Sequence, residues 1–324
     1  SFYIVTSILT IFTSNDIIIL TFTPFICYFA KNAKVSPIPY LVSEFVAANT
    51  WSMMLVIGNP TNIYLATMYQ ISFIEYFKIM LIPTILSGLT SFIVLYLMFR
   101  KELSKPYTKE INEVVIKNKF LLIVGLLHLG LCTIILSISS YINIEMWLIS
   151  FGFSISLIIV SICYKIFKKD KTNIIKSTLK RVPWNLIPFV ISMFIIVLSL
   201  NKYNITDMIN SLLGTKGVIF KYGFASFFAA NIINNIPMSV LFAEILEPLK
   251  GISLHKAVYA TIAGSNIGAY LTPIGALAGI MWMSILKKEG VDMGFVTFIK
   301  KHAFVSILSM LMALLGIYIV FVIF

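Results

Sequence analysis

The polar positions of this chain are few and grouped, and the apolar runs between them set its plan. A helix crosses a bilayer with about 20 consecutive apolar residues. One such run extends from Phe73 to Phe99 and is closed by Arg100-Lys101. Others cover roughly 120–140, 146–167, 183–200 and 303–324, and these predict plain spans. Two stretches behave differently. Residues 1–30 are apolar but interrupted at Thr13-Ser14-Asn15-Asp16, and residues 218–247 are interrupted from Asn231 to Pro237. Each has two arms too short to cross alone, meeting at a polar tip. That pattern predicts a re-entrant hairpin, whose irregular backbone is tolerated in a membrane only under a cover of protein or in a water-filled cavity.

Each hairpin is followed by a long apolar segment with a break. The first runs from about Pro39 to Gln70 and breaks at Gly58-Asn59-Pro60-Thr61-Asn62. The second runs from about His255 to Leu286 and breaks at Gly264-Ser265-Asn266-Ile267-Gly268, then again at Thr272-Pro273-Ile274-Gly275. Proline removes a backbone donor and glycine relaxes the chain, so both loosen a helix. The order hairpin, broken helix, plain helix therefore occurs twice, in 1–99 and in 218–324. Loops and three plain spans fill 100–217 between them. A weak internal similarity aligns Pro60-Thr61-Asn62-Ile63-Tyr64-Leu65-Ala66 with Pro273-Ile274-Gly275-Ala276-Leu277-Ala278-Gly279. Repeats must be recognised before a fold is assigned, and paired interrupted segments point to a secondary transporter with its site between the halves. Three plain spans precede the second repeat and none precedes the first, so about three N-terminal spans are expected to be missing from this chain.

Composition narrows the class. Of 324 residues 59% are hydrophobic and 12% charged, and the mean hydropathy is +0.96. A soluble domain carries about 25% charged residues, so the chain reads as an all-α integral membrane protein. A cytoplasmic enzyme, a nucleic-acid binder and a disordered chain are excluded together. The net charge of +12 has a simple cause, because cytoplasmic loops collect Lys and Arg. If 31–37, 100–119, 165–182 and 287–302 are cytoplasmic, they hold 19 of the 25 Lys and Arg. The first hairpin then opens to the cytoplasm and the second to the outside, so the repeats are inverted. Trp147, Trp184, Tyr141 and Tyr203 fall near span ends, where aromatic side chains anchor to the interface. Lipid is the surrounding partner, and the basic run from Lys165 to Arg181 sets topology or meets anionic headgroups. Cys27, Cys132 and Cys163 stand singly in apolar runs and build neither a disulfide framework nor a metal site.

The candidate chemistry lies at the tips and breaks. Asn15 and Asn235 mark the two tips, with Ser14 and Asn234 beside them. Asparagine offers two donors and an acceptor, which suits a neutral hydroxylated solute, an oxyanion or a dehydrated cation. Asn59, Thr61 and Asn62 in the first break, and Ser265, Asn266 and Thr272 in the second, line helix ends whose amides favour anions and whose carbonyls favour cations. Asp16 is the acid at a tip. An ionisable group at mid-membrane depth is expensive and functional by default, so Asp16 is the proton-coupling candidate. The competing reading makes it the cap of a helix starting at Ile17. Glu44, Glu244 and Glu247 are expected near an interface, Glu247 at a helix end before Pro248. His128, His255 and His302 lack metal-site spacing, and His302 is expected in a basic interfacial turn after Lys300-Lys301.

Ser14-Asn15-Asp16 followed by Thr23-Pro24, with Ile57-Gly58-Asn59-Pro60-Thr61-Asn62, Asn234-Asn235-Ile236-Pro237 and Leu271-Thr272-Pro273-Ile274-Gly275, resembles the ion transporter superfamily. That group includes arsenite and antimonite efflux permeases, sodium/proton antiporters and citrate or dicarboxylate carriers. Asn-Asn-Ile-Pro, then Thr-Pro-Ile-Gly-Ala-Leu-Ala and Trp282, is most similar to the arsenite permease branch. The resemblance implies a multi-pass transporter of the plasma (inner) membrane with alternating access. It would move arsenite, antimonite or an anion, with the asparagines as solute or ion contacts and H+ or Na+ as a coupling ion in place of a cofactor. A sodium/proton antiporter with Asp16 as its ion site is the alternative. An intramembrane enzyme is remote, since HExxH, GxSG and catalytic acid pairs are missing. There is no GxxxxGK[ST] motif, so pumping would use an ion gradient or a separate soluble ATPase subunit. A homodimer is compatible with the resemblance.

Overall fold

The computed structural model describes residues 2–104, 106, 118–139, 142, 144–168, 184 and 186–323. Most of the basic run from Lys165 to Arg181, the middle of 100–119, and the turn residues Tyr141 and Asn143 lie outside the described residues. Among those described, the chain forms fourteen α-helices, one 3-10 turn and no strand. We number the helices in order. Residues 1–103 hold α1 (Phe2–Phe12), α2 (Asn15–Ala33), α3 (Ile38–Trp51), α4 (Pro60–Met68) and α5 (Phe73–Leu103). Next come α6 (Lys119–Ser137), α7 (Met146–Phe167), α8 (Leu186–Lys202) and α9 (Ile205–Leu213). Residues 218–323 hold α10 (Val218–Ile233), α11 (Asn235–Leu246), α12 (Gly251–Gly268), α13 (Leu277–Lys288) and α14 (Phe295–Ile323). By length and composition α5, α6, α7 and α14 are each able to cross a membrane.

The chain divides into two compact units. The smaller comprises 72–74 and 111–191. In it α6 and α7 run antiparallel: Phe120 stacks on Tyr164 at 5.0 Å, and His128 Nε2 meets Ser156 Oγ at 3.1 Å. Leu126, Ile134 and Phe151 are each about 60% exposed on these helices. Large apolar side chains exposed all round a helix identify hydrocarbon, rather than water, as its solvent.

The larger unit comprises 1–71, 75–110 and 192–324. Its packing repeats. In the first half α1 and α2 both pack on α3, and in the second α10 and α11 both pack on α12. The exchange between halves is reciprocal, with α2 against α13 and α11 against α4. The tips are short: Thr13 and Ser14 join α1 to α2, and Asn234 alone joins α10 to α11. Asn234 takes φ +74°, an unusual region for a residue other than glycine that asparagine tolerates.

The breaks differ from the sequence expectation in position. The first begins earlier: α3 ends at Trp51, a 3-10 turn covers Val56–Gly58, and Asn59 caps α4, with Pro60 at the first helical position where its missing donor costs nothing. The second occurs once, over 269–276, and Gly264 through Gly268 are helical. Those glycines serve contact instead of flexibility. A Cβ on Gly264 would lie 2.1 Å from Ser226 Oγ, and one on Gly268 would lie 2.7 Å from the Phe227 carbonyl. Without side chains there, α12 approaches α10 closely enough for backbones to touch, a common device in membranes.

Candidate functional site

One hydrogen-bonded network joins the first break to α12. Asn266 is its hub. Its Oδ1 accepts from Ser52 Oγ (2.9 Å) and Asn59 Nδ2 (3.2 Å), and its Nδ2 donates to Asn62 Oδ1 (2.7 Å) and the Ile262 carbonyl (2.8 Å). Ser265 Oγ donates to Thr61 Oγ1 at 2.8 Å, and the Thr61 hydroxyl and amide both donate to Asn59 Oδ1. Asn62 Nδ2 reaches the carbonyls of Ser52 and Leu55, the open turn that the break creates. Asn59, Thr61, Asn62, Ser265 and Asn266 are all buried. Carbonyls freed by the break are therefore held by Asn62, whose own side chain is tied to Asn266 from the other half of the chain.

The first tip connects to this network through α3. Asn15 Nδ2 donates to Asn49 Oδ1 at 3.0 Å, and Ser52 Oγ donates to the Asn49 carbonyl at 2.9 Å. The second tip connects to the second break. Asn235 N–H donates to the Gly275 carbonyl at 2.9 Å, and Asn234 Nδ2 donates to that of Ile274 at 3.2 Å. Asn231 Oδ1 accepts from both the amide (3.0 Å) and the hydroxyl (2.7 Å) of Thr272, while its Nδ2 donates to the Phe227 and Gly268 carbonyls.

Three residues at the tips stand apart. The Ser14 side chain makes only a long contact with Asn15 Oδ1, at 3.5 Å, among the described residues. The Asn235 side chain, although buried, and the half-buried Asp16 have no side-chain partner among the described residues. Asp16 is not the cap of a helix starting at Ile17. The helix starts at Asn15 with Ser14 at the cap position, so Asp16 lies in its first turn, where the helix dipole favours a negative charge.

Several contributors lay outside the sequence-based set. Asn49 and Ser52 join the network, Asn231 holds the second break, and Thr50 makes a separate contact, its hydroxyl meeting Tyr270 OH at 3.1 Å. Their signal is a polar residue inside an apolar run, which reads equally as a packing residue. Glu44 and His302 are fully buried rather than interfacial. His302 stacks on Phe298 at 3.9 Å within an aromatic cluster with Phe45 and Trp282, which covers it completely. Glu244 accepts from Asn201, and Glu247 closes α11. His255 approaches Glu75 at 3.8 Å, with both side chains well exposed. No group of three His, Cys, Asp or Glu among the described residues could hold a metal ion.

Lipid-facing helices, two short-tipped hairpins and two interrupted helices locked by a buried polar network define an integral membrane protein of the ion transporter superfamily. The chain belongs within it to the arsenical pump membrane protein family, whose model matches residues 2–321. It is 22% identical over 274 residues to the arsenical pump membrane protein of Yersinia enterocolitica, covering 81% of this chain and 62% of that protein. It is 25% identical over 347 aligned positions to the putative arsenical pump membrane protein of Bacillus subtilis strain 168, covering 96% of this chain and 76% of that one. A 46 kDa membrane protein of Mycobacterium leprae is 25% identical over 331 positions, 94% of this chain and 72% of its own length. The chain thus spans a little over three-fifths of the enterobacterial relatives it matches.

Proposed function

We propose that the protein is a secondary active transporter of the plasma membrane that exports arsenite or antimonite by alternating access. The observation that carries the reading is the contrast at the tips. The network behind them is saturated, while Asp16 and the Asn235 side chain keep their hydrogen-bonding capacity free of described partners. Arsenite at neutral pH is largely an uncharged, hydroxylated solute. Its hydroxyls both donate and accept, as do the amide of Asn235 and the hydroxyl of Ser14 at the tips. In this reading the solute completes the tips. Asn59, Asn62 and Asn266 hold the frame around it, and Asp16 meets the coupling ion, H+ or Na+. The hairpins and broken helices move as one body against the plain spans, with the repeats in inverted orientation. The names of the relatives support arsenic as the cargo.

Growth of an arsenite-sensitive host carrying the full-length gene tests the reading, with antimonite, high sodium and citrate as parallel challenges. Resistance to arsenite and antimonite, reduced by Asn235→Ala at equal membrane abundance, is the expected result. Protection against sodium alone would replace it with the antiporter reading. Collapse of extrusion by a protonophore, with cellular ATP held constant, separates gradient coupling from a soluble ATPase partner.

A further inference from the structure

Glu44 is the only fully buried carboxyl among the described residues. It lies on α3 at the meeting of two helices from different repeats. Thr23 Oγ1 of α2 is 3.1 and 3.2 Å from its two oxygens, and Trp282 Nε1 of α13 is 3.3 Å from Oε2. Both neighbours are neutral donors. The single proton of the threonine hydroxyl is shared with the Ile19 carbonyl, at 2.6 Å, and the indole N–H donates to Oε2. An ionised carboxylate would have that indole donor, a share of one hydroxyl proton and no counter-charge among the described residues, a burial that costs several kcal/mol.

Among the described residues, the surroundings supply no cation. From α2 the neighbouring titratable group is Cys27, within electrostatic reach of both Glu44 and Glu289 at the end of α13. From α14 it is His302, whose Nδ1–H donates to the Phe298 carbonyl and whose buried Nε2 has no partner among the described residues, the arrangement of a neutral ring. Lys287 and Lys288 of α13 are exposed, and Lys301 of α14 lies over the Phe99 ring. On α1, Tyr3 is bonded to the Gly88 carbonyl and to Trp51, at the far end of α3. On α12, His255 and Tyr259 face Glu75, and Lys256 lies over Phe321.

The matching contact in the other repeat lacks the acid. Thr23 and Ala243 each stand eight residues after the tip asparagines Asn15 and Asn235. Trp282 and Tyr69 each stand nine after the aligned prolines Pro273 and Pro60. The second pair also meets, with Tyr69 OH donating to the Ala243 carbonyl at 2.6 Å. Asn49 and Asn266 correspond as well, since each bonds the carbonyl four residues before it. Five residues before Asn266, at the place of Glu44, stands Thr261, buried with its hydroxyl unpaired among the described residues. A structural brace needs no carboxyl at this position.

We infer that Glu44 is a proton-binding site, separate from Asp16, whose bound proton closes the contact of α2 and α3 with α13. When water reaches the carboxyl, its O–H bond breaks, the electron pair stays on the carboxylate and the proton passes to water. The charged group then cannot return to the dry contact until it is reprotonated. One contact in the molecule thus opens and closes with a proton, while its counterpart at Tyr69 does not. The role in transport rests on the function proposed above; the bound proton does not.

Infrared spectroscopy of the full-length protein tests the proton directly. At neutral pH the Asp16→Asn variant should show the carbonyl stretch of a protonated carboxyl, and adding Glu44→Gln should remove it. Absence of the band from Asp16→Asn protein overturns the inference without any need for a folded Glu44 variant. In proteoliposomes Glu44→Gln, which mimics the protonated acid, should retain arsenite exchange down its own gradient and lose accumulation driven by a pH gradient. Unchanged pH-driven accumulation in Glu44→Gln overturns the proton's role in transport. Lack of arsenite movement by the unmodified protein overturns the function proposed above and leaves the infrared result standing.

Discussion

Replacing Asn266 by alanine asks whether the buried network holds the two halves together. The substitution deletes four hydrogen bonds. Two of the lost partners are provided for: the Ser52 hydroxyl keeps the Asn49 carbonyl at 2.9 Å, and the Ile262 carbonyl lies within the α12 helix. The other two are not. Asn59 Nδ2 and Asn62 Oδ1 are buried and lose the partner that joins them to α12. An orphaned buried group costs about 1–3 kcal/mol, so the expected loss is about 2–6 kcal/mol. An ordinary interhelical hydrogen bond in a membrane averages only about 0.6 kcal/mol, because the unfolded chain in lipid also finds partners. Unfolding in mixed detergent micelles, followed by tryptophan fluorescence, measures the loss. Adding Asn62→Ala to Asn266→Ala should cost less than the sum of the single changes, since the acceptor left orphaned by the first is deleted by the second. A loss below about 1 kcal/mol for Asn266→Ala, with additive behaviour in the double variant, would refute the saturated network.

Three further outcomes follow from the same geometry. Asp16→Asn should preserve exchange of arsenite across vesicles and abolish its accumulation against a pH gradient, whereas normal coupling would return Asp16 to a helix-end role. Gly264→Ala should destabilise the protein by about 1–3 kcal/mol, because its Cβ meets the backbone of α10, while Gly125→Ala, with nothing within 4 Å, should be neutral or slightly stabilising on thermal unfolding. Asn231→Ala should free the Thr272 amide and speed hydrogen exchange across 269–276, and unchanged protection there would show that the second break is held by its backbone alone.

What the chain order carried was the alternation of apolar runs with polar interruptions. Periods, lengths and prolines are local, so the hairpin at Asn15, the break at Pro60 and the long helices could be placed from residues alone, as could the family resemblance. The glycines of α12 show the limit. Gly264 and Gly268 have the same one-dimensional signature whether they unwind a helix or admit a neighbour, and only the arrival of α10 decided for contact. His302 follows two lysines and reads as interfacial, yet its ring is turned inward onto Phe298. The same holds for Glu44, whose partner Trp282 stands 238 residues from it in sequence. Local pattern determined which elements form and roughly where they break. Tertiary structure decided which polar groups are satisfied, because a buried donor is paired by whatever the fold brings to it across more than two hundred residues, and no local pattern encodes that meeting.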